Sequence, residues 1–280
     1  MRIITWNIRR ATKDSPVWKL LLELQPDIAL LQEVGNIPDK IEELFDVLSK
    51  PATYKTGKPQ KFSTAVLVKG KIIKEINLLS EYEGVNNAIE FFKGNFIACV
   101  VELQNHEKFN VVSVYSPAWV VDKNMTGGQD ISAVKLKENP RLWPTELLWS
   151  ALKNSNLEDT PWIVGGDYNS SETFDKYYKL KHGLKGGLVT GGNKEIRDRM
   201  YDLGFKECLL EGRGKLTPTY KHTNGQIIHQ LDHLYVTNKL CRQLLACDVG
   251  NKKILDESIS DHLPIMADFS EKIKKLHQKK

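Results

Sequence analysis

A chain of 280 residues with 41% hydrophobic and 27% charged content can bury a sizeable core, and no apolar run approaches the ~20 residues a bilayer span needs. That composition excludes a helical membrane protein and a low-complexity disordered chain. The formal net charge of +5 is mildly basic, which fits a polyanionic partner without demanding one.

The start, Met1-Arg2-Ile3-Ile4, enters a strand pattern at once and lacks the apolar segment and cleavage site of a signal peptide, so a cytoplasmic location is expected. Residues 2–8 read as a strand. Ser15-Pro16 then reads as an N-cap with proline at the first helical position, opening a helix to Leu24 that Pro26 ends. A buried strand follows at 28–33, and Ile41, Leu44, Phe45 and Leu48 share one face of an expected helix.

Short strands are expected at 63–68, 72–76, 87–92, 96–103 and 109–115, separated by polar or glycine turns. Periodicity is lost over 116–141, around Gly127-Gly128, and such a long irregular stretch in a compact chain is usually functional or disordered. Helix returns at 144–154, a buried strand runs through Trp162-Ile163-Val164, and 194–203 reads as a helix capped by Gly204. Strands at 228–236 and 263–269 close the pattern. With no linker-like segment, residues 1–270 are expected to form one domain, followed by a basic tail at 271–280. Strands grouped in this way suit an α/β (α+β) arrangement of two packed mixed β-sheets flanked by helices better than a regular doubly wound sheet. The four cysteines, Cys99, Cys208, Cys241 and Cys247, have neither C-x-x-C spacing nor histidines at zinc intervals, and are expected to be free thiols.

Polar residues cluster at the ends of the apolar strands. In the string Ile163-Val164-Gly165-Gly166-Asp167-Tyr168-Asn169-Ser170 an acid and an amide two residues apart project to the same side of an extended chain. A carboxylate beside a carboxamide can take a proton from water and donate to an oxyanion, although an Asx-turn explains the string alone equally well. Five further clusters accompany it: Asn7, Gln32-Glu33, Tyr115, Asp232 and Asp261-His262. Strand ends on a rigid scaffold are where catalytic groups gather. His233, beside Asp232, is expected on the opposite face by strand alternation.

Together the strings TWNIR, LLQEV, VYSP, GGDYNS, QLDHLYV and SDHLPI resemble, in order and over essentially the whole chain, the endonuclease/exonuclease/phosphatase superfamily. The resemblance implies a four-layer α/β sandwich and a metal-dependent phosphoester hydrolase. It implies Asn7, Glu33 and Asp261 at the metal end, with Mg²⁺ the expected ion and Mn²⁺ a substitute. It further implies Asp167 orienting or deprotonating the attacking water, Asn169 bonding phosphoryl oxygens, and His262, held by Asp232, facing the scissile phosphate. Tyr115, with one residue between it and Pro117, looks like the exonuclease III and apurinic endonuclease branch, where a phenol can serve the leaving oxygen.

Two departures bear on substrate. Arg9 stands where apurinic endonucleases usually carry Asp, and Arg9-Arg10 suits a phosphate grip instead. The string Thr217-Pro218-Thr219-Tyr220-Lys221-His222 lacks the tryptophan of their abasic pocket, leaving Tyr220 as the local substrate-facing aromatic. Trp119, Lys123, Lys135, Lys137, Arg141 and Trp143 in the irregular stretch interleave basic residues with aromatics, as a nucleic-acid-contacting loop does, although ordinary packing accounts for both tryptophans at least as well. The expected function is a DNA endonuclease or exonuclease with nucleic acid as partner and no membrane. A phosphatase or phosphodiesterase on a small or lipid phosphate is the alternative, and a catalytically silent nucleic-acid-binding module the third reading.

Overall fold

In the computed structural model, residues 1–139, 141–175 and 192–270 are described. Strands β1 (Arg2–Ala11), β2 (Ile28–Val34), β3 (Asp46–Thr53), β4 (Pro59–Val68), β11 (Leu244–Val249) and β12 (Ile265–Phe269) form one sheet in the order β11-β12-β1-β2-β4-β3. A second sheet, in the order β5-β6-β7-β8-β10-β9, contains β5 (Gly70–Glu75), β6 (Phe96–Leu103), β7 (Lys108–Tyr115), β8 (Trp162–Asp167), β9 (Phe205–Glu207) and β10 (Asp232–Thr237). Both sheets are mixed: β1 with β2 and β7 with β8 are parallel, and the other pairs are antiparallel.

Strand alternation builds three apolar layers from these sequences. Ile3, Ile28, Leu30, Val66, Val111, Ile163 and Leu234 interlock between the sheets. Ile4, Trp6, Ala29 and Leu31, one residue out of phase, pack outward on helix α1 (Val17–Leu24) and on Ile41 of helix α2 (Asp39–Leu44). Val112, Val114 and Val164 pack outward on helices α3 (Glu83–Phe91), α4 (Pro144–Lys153) and α5 (Asn193–Asp202). The expected two-sheet sandwich flanked by helices is therefore the observed architecture. Among the described residues no helix is long and apolar enough to cross a membrane.

Several local expectations fail for identifiable reasons. Residues 87–92 are the end of α3: Val85, Ala88, Ile89 and Phe92 follow helical spacing into the core, and that period outweighs the bulky apolar pair that reads as strand. The helix expected to carry Leu48 stops at Leu44, and β3 begins at Asp46, where pairing with β4 wins over the local stripe. Helix α1 starts one residue after Pro16, and Ser15 turns its hydroxyl back to accept from the Thr12 N–H instead of capping. Strands β10 and β12 begin later than expected, at Asp232 and Ile265. Gly204 sits as expected just past α5 in a left-handed conformation (φ 83°). The basic tail at 271–280 lies outside the described residues.

The irregular stretch after Tyr115 contains one short 3-10 turn, Ser132–Val134, among its described residues. It is anchored by Val121, Met125, Ile131, Val134 and Leu142, all in the core layer beneath α3 and α4. Trp119 is partly buried and packs against the same layer with its indole nitrogen buried.

Candidate active site

Register brings the polar strand ends together at one end of the sandwich. In the second sheet Tyr115 of β7 lies beside Asp167 of β8, and Asp167 lies opposite Asp232 of β10. Each continues the inward-facing set of its strand, after Val111 and Ser113, Ile163 and Gly165, and before Leu234. In the first sheet Asn7 of β1 pairs with Gln32 of β2, and both continue the inward phase of Ile3 and Leu30. Alternation would send Glu33 outward with Leu31. A left-handed backbone at Glu33 (φ 51°) breaks the alternation, and its carboxylate ends beside Asn7 and Arg10.

Gly166 makes the close approach of β8 possible, since a Cβ there would sit 1.8 Å from the Val114 carbonyl oxygen. Arg9 (φ 48°), Arg10 (φ 58°), Glu33 and Asn169 (φ 46°) all hold left-handed backbone at this end of the molecule. Such strain persists only where surrounding structure over-determines it. Here the Asn7 side-chain oxygen accepts from the Arg9 N–H (3.0 Å), and Asp167 Oδ1 accepts from the Asn169 N–H (2.9 Å).

Asp167 is the hub. The Asn7 amide donates to its Oδ2 at 3.0 Å, and the Asn169 amide donates to the same oxygen at 3.2 Å and to the Ser116 carbonyl at 3.0 Å. Both Asn169 amide hydrogens are thus engaged within the chain, one on Asp167 and one on the Ser116 carbonyl. The His262 ring bridges the two acids: Nδ1 is 2.8 Å from Asp232 Oδ2, and Nε2 faces Asp167 Oδ2 at 3.9 Å. Burial disfavours a charged His262, but the flanking Asp232 and Asp167 outweigh it and push its pKa up to about 10. Burial raises the Asp167 carboxyl to about 7, with the imidazolium opposing the rise and Asp232 adding to it. The pair thus holds an acid poised near neutrality against a ring that stays cationic.

Residues outside the sequence expectations hold this geometry. The Trp6 indole N–H donates to the His262 carbonyl (2.9 Å), and the Ser260 hydroxyl donates to the Asn7 carbonyl (2.8 Å) while accepting from the His262 N–H. The Thr219 hydroxyl accepts from the Asp232 N–H at 3.2 Å. Phe62 meets Tyr115 edge-on with centroids 5.2 Å apart, and Arg10 lies 5.2 Å over the Phe62 ring. Trp6 stands in the TWNIR string, whereas no local pattern marks Phe62.

Glu33 and Asp261 lie near one another, with Arg10 Nε 3.5 Å from Glu33 and Arg9 Nε 3.9 Å from Asp261. Burial is the main cause raising the Glu33 carboxyl above the ordinary range, with Arg10 and His262 only partly offsetting it. A carboxylate short of compensating charge, beside a second carboxylate and the Asn7 carboxamide, is a hard-oxygen donor set that fits Mg²⁺ or Mn²⁺. Ligand atoms of Asp167, Asp232 and His262 also lie within 4.8 Å of one another, compact enough for an ion. There, however, the 2.8 Å contact to Asp232 engages Nδ1 and favours the ring as a cation, so proton chemistry accounts for that cluster better.

Tyr115 is buried, and burial with the nearby Glu33 and Asp167 charges holds its phenol proton firmly on oxygen. Tyr220 is half-buried with its ring 4.7 Å from that of His262, and its backbone bridges both His229 and His262. Asn7, Arg9, Arg10, Glu33, Tyr115, Asp167, Asn169, Tyr220, Asp232, Asp261 and His262 therefore gather here. His233 points to the opposite face, where it meets Glu207 and not the acids.

The sequence profile of the endonuclease/exonuclease/phosphatase family matches residues 4–262. The chain belongs to that family. No curated protein matches it in sequence. Among solved structures, an AP endonuclease from Archaeoglobus fulgidus aligns at 18% identity and a TM-score of 0.67, covering 97% of this chain and 100% of that one. A 3′-5′ exonuclease (NExo) from Neisseria meningitidis aligns at 16% identity and 0.64, with the same coverage. A 3′ phosphatase NExo from Neisseria, bound to product DNA hairpin, aligns at 17% and 0.62, again over 97% and 100%. At such identities the likeness is one of fold. Membership of the endonuclease/exonuclease/phosphatase family makes the protein one of a group of hydrolases acting on phosphoester bonds.

Proposed function

We propose that this protein is a Mg²⁺-dependent nuclease that hydrolyses DNA phosphodiesters with an activated water, residues 1–270 acting as one domain in the cytoplasm. The observation that carries the reading is the buried Asp167–His262–Asp232 row set beside the Glu33 and Asp261 carboxylates. Glu33, Asp261 and Asn7 would hold the ion, which supplies charge to offset the phosphate and its leaving oxygen.

The chain's own groups do the rest. Asp167, near neutral pKa and fixed by the Asn7 and Asn169 amides, accepts the proton of the attacking water. His262, kept cationic by Asp232, stabilises charge growing on the phosphoryl oxygens. Tyr115 retains its proton and can donate it toward the leaving oxygen. Arg9 and Arg10, half or more exposed beside the carboxylates, suit flanking phosphates.

DNA is favoured by the tyrosine at position 115, by the two outward arginines, and by a recess of about 220 Å³ beside Asn169 walled by Pro117, Trp143, Tyr168 and Phe174. A recess with aromatic walls next to the reacting phosphate accommodates an unstacked nucleotide. The test is a substrate panel with Mg²⁺: single strands, plain and abasic duplex, RNA and inositol phosphates, each with Asp167→Asn as control. Cleavage of DNA that the control lacks supports the reading. Turnover confined to inositol phosphates overturns it in favour of the phosphatase alternative.

A further inference from the structure

His233 lies directly behind the site, on the far face of β10 from Asp232, and is buried (7% exposed). Its Nε2 is 2.9 Å from the Ser170 carbonyl oxygen and its Nδ1 is 2.9 Å from Glu207 Oε1. The Ser170 carbonyl can only accept, so Nε2 donates; Nδ1 also has the Gln230 amide nitrogen at 3.3 Å, but its shorter contact is to the Glu207 carboxylate, which accepts, so Nδ1 donates too and the ring is an imidazolium. Glu207 is fully buried on β9 and also accepts from the Gln230 amide, whose oxygen is fixed by the Thr217 N–H at 2.9 Å. Around the pair stand Tyr168, which meets the ring edge-on at 5.3 Å, Tyr235, stacked at 5.7 Å, and Arg197 and Glu172 across a small cavity.

The Ser170 carbonyl follows immediately on Asn169, whose left-handed backbone (φ 46°) carries the amide that fixes Asp167. Non-glycine residues hold that conformation at a cost, so something must retain the turn. The Tyr168 N–H, bonded to the Leu231 carbonyl at 2.9 Å, fixes it on one side, and the His233 cation grips it on the other. We propose that His233, charged through its buried pairing with Glu207, is a positioning residue that locks the Asn169–Ser170 turn and thereby sets Asp167 for reaction. This deepens the assignment of Asp167 and rests on it. Glu207 supplies the charge that keeps both ring nitrogens protonated, which agrees with a His233 pKa that stays raised although burial opposes it.

The experiment measures the imidazole ¹⁵N resonances and the Asn169 amide signals of the full chain at pH 7.5, beside kcat and KM on the best DNA substrate. The variants are Glu207→Gln and His233→Gln, each first shown to be folded by circular dichroism. In the wild type both His233 nitrogens are expected in the protonated range, and Glu207→Gln is expected to return the ring to the neutral form and shift the Asn169 signals. Turnover should fall on the order of 10²-fold with KM within about twofold, the cost of a misplaced reacting group. A neutral His233 ring in the wild type, or folded variants with unmoved Asn169 signals and undiminished kcat, would overturn the proposal. If no phosphoester is hydrolysed by the wild type, the proposed reaction fails separately, while the resonances still decide whether the cation holds the turn.

Discussion

His262 and Asp232 meet at 2.8 Å with the acid fully buried, and the opposite ring nitrogen faces Asp167 at 3.9 Å. One imidazole thus lies between two acids, with the first holding it as a cation while burial keeps the second close to neutral pKa. Such a row suits the proposed division of labour, with Asp167 as base and His262 as electrostatic stabiliser.

Removing Asp167 or His262 from the row should stop the chemistry. Asp167→Asn and His262→Ala are each expected to lower Mg²⁺-dependent cleavage by at least about 10³-fold, within the range for positioned acid–base groups. Circular dichroism should show the fold retained, and turnover close to wild type in either purified variant would refute the assigned roles.

The pH profile follows from the same row. Activity should climb as Asp167 ionises near pH 7 and decline as His262 loses its proton near pH 10, the two limbs belonging to the coupled set. The sign for stability differs from that of an ordinary salt-bridged carboxylate. His262 is raised from 6.5 to about 10, so its contribution is complete below 6.5 and disappears as pH rises through 10. Melting temperatures of wild type and His262→Ala across that window check this, since their difference should shrink at the alkaline end.

Gly166→Ala should be far more damaging than Gly128→Ala. The first places a Cβ 1.8 Å from the Val114 carbonyl and forces β7 and β8 apart, which should cost about 3 kcal/mol. The second meets nothing within 4 Å and bears only the strain of a positive φ, about 1 kcal/mol. Urea unfolding of both variants measures the difference, and equal midpoints would contradict the close approach.

Arg9→Ala and Arg10→Ala are expected to weaken DNA binding and to flatten its salt dependence by about one unit per lost phosphate contact. Hydrolysis of a small phosphodiester without flanking phosphates should change little. Binding titrations from low to high salt provide the slope, and an unaltered slope would remove the arginines from the DNA surface.

Much of the site was legible in the chain because strand alternation is a local rule. Asn7, Tyr115, Asp167 and Asp232 each fall on the inward phase of an apolar strand, and that phase can be counted from Ile3, Val111, Ile163 and Leu234. Glu33 could not be placed by the same count, because a left-handed backbone at that residue reverses it. Residues 87–92 and Leu48 went astray where tertiary packing chose between periods that short apolar runs leave ambiguous. For Trp119 the chain left packing and substrate contact open, because aromatic residues among lysines look alike on a surface or in a core until burial is known.

The sequence by itself determined the two-sheet architecture and the residue types of the site, since apolar periods and the order of six motifs are carried along the chain. The tertiary structure alone decided which groups act on one another. The Asp232–His262–Asp167 row joins residues 30 and 95 positions apart, and the grip of His233 on Ser170 spans 63. Such juxtapositions depend on strand register between distant segments, and register arises only when the whole sheet forms.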